Sequence, residues 1–161
     1  MELVTQYLLP CVWAFFACAG FAIIFNIRDW GIAICCLGGA LGWFFYLLLG
    51  SDIPAAFFAS AFIGIYGEVA ARLRRCPVTG YVLVALLPLV PGGGIYHAMS
   101  HALAHELEAF QLTMIETLGM AIALAVGSMI SSSAFRAVWG YVKRLYAEMG
   151  RDNRTASGGK G

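Results

Sequence analysis

Residues 78–105 read VTGYVLVALLPLVPGGGIYHAMSHALAH, and the fold turns on how Pro88-Leu89-Val90-Pro91-Gly92-Gly93-Gly94 is accommodated in the middle of it. The stretch carries no Asp, Glu, Lys or Arg and is long enough, as helix, to cross a hydrocarbon core of about 30 Å. Two prolines remove amide donors and three successive glycines favour non-helical backbone, so the helix must break. The break falls at the middle of the stretch, and hence near mid-membrane. Unpaired backbone groups there cost several kcal/mol each unless they face protein or a watery cavity. A half-helix starting near Ile95 would aim its unbonded amides and positive dipole end into such a cavity, a suitable seat for a carboxylate. This reading makes Pro91, Gly92, Gly93, Gly94 and Tyr96 candidate solute-binding residues. The alternative is a plain kink or a close helix contact, and the residues alone leave both open.

Beyond the break His97, Ser100, His101, His105 and Glu108 recur at intervals of three and four, which predicts one polar face on an outward-running helix. That face is too polar for lipid, so His97, Ser100 and His101 are candidate pathway residues, with His97 able to titrate near neutral pH. His101 and His105 could share a metal ion as an i,i+4 pair, but no third ligand is evident and none is assigned. The other reading is a helix emerging into the outer interface.

The rest of the chain has the same character. Of 161 residues 61% are hydrophobic and 12% charged, with a mean hydropathy of +0.80, which excludes a water-soluble globule. An all-α polytopic membrane protein is predicted, with five spans near residues 3–25, 30–50, 53–71, 78–105 and 117–142, the fourth broken. The first run is too long, and lacks the basic flank, for a signal peptide, and it reads as a retained span. With five crossings all ten Lys and Arg fall on one side: Arg28; Arg72, Arg74 and Arg75; Arg136, Lys143, Arg144, Arg151, Arg154 and Lys160. The positive-inside rule then puts the N-terminus outside and the C-terminus in the cytoplasm. The bias makes any homo-oligomer parallel. One membrane domain over 1–149 and a polar, disordered cytoplasmic tail over 150–161 are expected. The near-neutral net charge gives no reason to expect a nucleic-acid partner; the lipid bilayer is the partner the composition demands. Cys11, Cys18, Cys35, Cys36 and Cys76 have no C-x-x-C spacing and are expected as free, packed thiols.

Glu68 lies inside the third span four residues before Arg72, and an intramembrane carboxylate raises a functional hypothesis. Proton coupling or solute contact by Glu68 and Arg72 stands beside a structural i,i+4 ion pair near the inner face. Gly38 and Gly42, Ala55 and Ala59, and Ala121 and Ala125 form small-xxx-small faces for helix packing. Ser128, Ser131, Ser132 and Ser133 give the fifth span a partly polar face, either helix contact or cavity lining. The sequence contains no catalytic-triad order, phosphate loop, HExxH or nucleotide fingerprint, so neither an enzyme nor a cofactor is expected.

The run from Phe58 through Gly67-Glu68-Val69-Ala70-Ala71-Arg72, followed by Cys76-Pro77 and Pro88-Leu89-Val90-Pro91-Gly92-Gly93-Gly94-Ile95-Tyr96, resembles the threonine/serine exporter family. More narrowly it is similar to the small C-terminal-type subunit of its split, two-component members. The resemblance implies a secondary active, proton-driven exporter of small carboxylate-bearing solutes, either hydroxy amino acids or, as in some split members, succinate. It also implies a larger membrane subunit of inverted topology as partner, and location in a bacterial cytoplasmic (inner) membrane. A non-transporting assembly or scaffold subunit, whose broken helix merely packs a partner, is the alternative.

Overall fold

Helix is the only regular structure among the described residues. The structure, a computed structural model, describes residues 4–28, 30–74 and 77–158, with the backbone alone at residues 4, 6 and 145–158. A π turn Val4–Leu8 leads into α1 (Leu9–Ile24). Next come α2 (Trp30–Leu48), α3 (Ile53–Arg74), α4 (Val78–Leu86) tightening into a 3-10 turn Leu87–Leu89, α5 (Gly92–Leu103) and α6 (Leu107–Gly158). Three reversals use left-handed residues just past a helix end: Asn26 after α1, Gly50 and Ser51 after α2, and His105 after α5. Such a residue redirects the chain while letting the last carbonyls of the helix keep partners.

α2, α3 and Leu107–Arg144 of α6 are each long and apolar enough to cross a membrane. α4 and α5 qualify as a pair bent by 49° at the Pro-Gly break, so the described helices offer three crossings, or four where the pair counts as one span. α1 is apolar throughout, but its sixteen α-helical residues fall short of a span by length. Large apolar side chains on the outside of the helices, among them Trp13, Ile24, Leu73 and Met129, suit lipid contact.

The bundle is built around α3, which packs most extensively on α6 and also holds α2 and α4. Small residues make this possible. A Cβ on Gly42 would collide with Ile63, one on Gly39 with Cys18, one on Gly64 with Ser131 and one on Gly127 with Ser60, so backbones approach where bulk would forbid it. The predicted faces Gly38/Gly42 and Ala55/Ala59 are buried as expected. Ala121 and Ala125 are exposed; α6 meets α3 instead through Gly119, Gly127 and Ser131, on a different side of the helix. Cys18, Cys35 and Cys36 are buried free thiols and Cys11 is a half-buried one, while Cys76 lies outside the described residues. The described basic residues gather toward one end of the bundle, at the α1–α2 connection, the close of α3 and the second half of α6.

Two corrections concern α5 and α6. The predicted fifth span begins at residue 117 after a polar connection, but α6 begins at Leu107, and only residues 104–106 separate it from α5. Thirty-eight residues of helix, Leu107–Arg144, measure about 57 Å, nearly twice a hydrocarbon core, so one end must protrude. Gly119 meets Ile53 at the start of α3, which carries the first turns of α6 about 18 Å past that point as one arm of a hairpin with α5. The backbone of α6 also remains helical through 150–158, where a disordered tail is expected from composition; residues 159–161 lie outside the described residues.

Candidate functional site

Two local features of the sequence converge on one cavity. Pro88 and Pro91 end the α4 helical ladder, and the chain crosses from Leu89 to Gly92 through extended Val90. Pro91, at φ −75 and ψ 58, forms an inverse γ-turn in which the Gly92 amide donates to the Val90 carbonyl at 2.7 Å. The next two amides, of Gly93 and Gly94, lie in the first turn of α5 and have no intrahelical acceptor. Leu89 packs with Ile63 at mid-height of α3, and Gly94 packs against Thr117, two residues before the Gly119 that meets Ile53 at the start of α3, so the break occupies the half of the bundle remote from the basic residues, its outer half by that measure.

Here a cavity of about 730 Å³ opens between the break, the α2–α3 turn and α6. Pro91, Gly92, Gly93 and Gly94 line it. A Cβ added at Gly92 or Gly93 would meet nothing, whereas one at Gly94 would collide with Thr117. The first two glycines therefore leave room, and the third permits close approach of α5 and α6. Facing them are Ser51 and Asp52 of the turn, which the Tyr46 hydroxyl fixes by donating to the Ser51 carbonyl at 2.7 Å. Thr113, Glu116 and Thr117 of α6 complete that wall. Trp43 is among its lining residues, but its indole N–H is buried off the cavity surface and has no hydrogen-bond partner. The cavity thus joins the free Gly93 and Gly94 amides of the first turn of α5 to two carboxylates. Asp52, Glu116 and Trp43 were not singled out in the sequence; Asp52 lies 36 residues before Pro88, and only the folded chain brings the α2–α3 turn to the break.

Tyr96, His97, Ser100 and His101 do not line this cavity. Tyr96, His97 and Ser100 are exposed on the α5 arm and His101 is half-buried, its Nδ1 2.7 Å from Glu106 Oε2. The single polar face predicted through His105 and Glu108 is interrupted, because α5 ends at Leu103, His105 adopts φ 61 in the turn and Glu108 belongs to α6. The i,i+4 relation between His101 and His105 goes with it. Among the described residues no group of three or more His, Cys, Asp or Glu could hold a metal ion.

The second cluster lies toward the inner end. Glu68 is 1% exposed and pairs with Arg72 Nη2 at 3.3 Å through Oε2, the i,i+4 pair the spacing predicted. Its Oε1 accepts from Arg136 Nε, reaching across from α6. The Arg72 guanidinium is also stacked over Phe135 at 4.6 Å and Trp139 at 5.0 Å. Two guanidiniums share one carboxylate, so the cluster carries one surplus positive charge. The Arg136 partnership was missed, although an arginine inside an apolar span calls for a buried acid.

The family model described as threonine/serine exporter, ThrE, matches residues 10–134. An uncharacterised protein of Haemophilus influenzae is 30% identical over 98 residues, which are 58% of this chain and 33% of that protein. The chain thus spans about a third of the length of that relative. No solved structure matches the chain.

Proposed function

Since the chain belongs to the threonine/serine exporter family, we propose that it is a membrane subunit of a secondary active exporter whose solute seat is the cavity beside the broken helix. The observation that carries this is the pairing of the free Gly93 and Gly94 amides with two carboxylates in one cavity of about 730 Å³. A zwitterionic hydroxy amino acid fits that pairing: its carboxylate to the Gly93 and Gly94 amides at the α5 dipole end, its ammonium to Asp52 and Glu116. A dicarboxylate such as succinate would set a second negative charge against those acids, so the amino acid is the better match.

In this reading the chain makes five crossings, the π turn Val4–Leu8 extending α1 to 21 helical residues, about the length a span requires. By the basic-residue bias the N-terminal side is external and the C-terminal side cytoplasmic, in a bacterial inner membrane. Coupling to protons runs through Glu68, and a larger membrane subunit of inverted topology completes the pathway. A family of exporters makes a transport role, rather than an enzymatic one, the natural reading.

The test is Gly93→Leu, assayed by L-threonine counterflow in membrane vesicles. A Cβ there meets nothing and the side chain would project into the cavity, so insertion and assembly should stay intact while flux is lost. Normal flux in Gly93→Leu would favour the alternative, an assembly subunit in which the break only packs a partner.

A further inference from the structure

Outside the outer cavity, the groove between α4 and α6 carries chemistry that the seat at the break does not use. Both helices pack on α3, which floors the groove. In its inner half is a cavity of about 420 Å³ walled by Thr79 of α4 and by Ser128, Ser132, Ser133 and Arg136 of α6. An apolar cavity of about 210 Å³ shares Leu83 and Ser128 with it and is narrowed by Leu86, Leu87 and Leu124. That cavity in turn shares Val90 with the outer one. Three spaces therefore lie in file along α4 and α6, polar at both ends and apolar between.

We infer that the inner cavity is a second solute station, in which Arg136 and the hydroxyl of Ser132 receive the carboxylate of the transported amino acid from the cytoplasmic side. The inference rests on the transport reading of the outer cavity. Arg136 gives only Nε to Glu68, its side chain is 59% exposed, and its two terminal nitrogens retain the donors that grip a carboxylate in a fork. The surplus positive charge of the cluster supplies the attraction, and no acidic residue lines the cavity to oppose it. Glu68 holds the guanidinium in place. Both stations read the carboxylate of a zwitterion, the outer one its ammonium as well, and the leucine-lined middle keeps them from merging into an open pore.

The test is protection of an introduced thiol. In full-length protein in inside-out membrane vesicles, with Cys11 and Cys76 replaced by Ser, Ser133→Cys is reacted with a charged methanethiosulfonate. Ser133 is exposed, so the substitution costs no packing. L-Threonine at ten times its half-protecting concentration should slow the reaction about tenfold, as simple occupancy dictates. Threoninol, which lacks the carboxylate, should not. Arg136→Lys should keep the thiol reactive and weaken protection, because an ammonium cannot replace the fork. Equal protection by threoninol, undiminished protection in Arg136→Lys, no protection by threonine, or an unreactive thiol would each overturn the inference. Loss of protection with flux still sensitive to Gly93→Leu removes the inner station alone, whereas absence of all amino-acid flux removes the transport reading itself.

Discussion

Glu68 is the residue on which the inner half of the bundle is organised. A carboxylate so fully enclosed is tolerable only because two guanidiniums meet it, and removing one member of a buried set leaves charge uncompensated at about 3–5 kcal/mol. Glu68→Ala should therefore lower the thermal midpoint in detergent sharply, and adding Arg136→Met to it should recover part of the loss. Additive losses in the double variant would mean that the two side chains act independently. If Glu68 also carries the coupling proton, Glu68→Gln should flatten the pH profile of export more than Arg72→Lys does; an unchanged profile with reduced stability would leave Glu68 a structural role. The i,i+4 pair with Arg72 was legible from spacing alone. The link to Arg136 was not, since 68 residues of chain separate the partners and only the α3–α6 crossing joins them.

At the scale of elements, sequence exposed the break and obscured the turn beyond it. Proline and glycine act locally, through a missing donor and a permissive backbone, so the break between α4 and α5 could be read directly from Pro88 to Gly94. Where α5 ended could not, because HALAH contains no breaker and His105 turns the chain with an unaided left-handed conformation. The polar stripe expected from spacing therefore overruns the true helix end, and the first turns of α6, one arm of the hairpin with α5, read as a polar connection. The glycines of the break separate by role. Gly94→Leu should lower stability as well as flux, since its side chain would drive into Thr117, while Gly93→Leu should spare stability. Equal thermal midpoints for the two variants would contradict the close approach of α5 to α6.

For the molecule as a whole, the basic end and the projecting hairpin make opposite predictions about access. With impermeant maleimide in intact cells, Ser100→Cys on the hairpin should label, and Ser157→Cys should label only after permeabilisation. The reverse pattern would invert the topology. A chain whose basic bias fixes one orientation cannot supply its own inverted copy, so saturable transport is expected to require the larger subunit. Robust flux from the purified chain alone would refute that requirement. The helix α6 adds a mechanical consequence. It runs unbroken past both stations and lies along α3 from Gly119, against Ile53, to Arg136, which pairs with Glu68, with the glycine-mediated approach at Gly127 near the middle of that contact. A rigid rod that rocks about this approach acts as a lever on a fulcrum. From Gly127 to Leu107 is about 30 Å of rod and to Arg144 about 25 Å, so a tilt of about 10° swings the two ends some 4–5 Å in opposite directions. Opening at the outer cavity would be geometrically tied to closing at the inner one, by the stiffness of one helix.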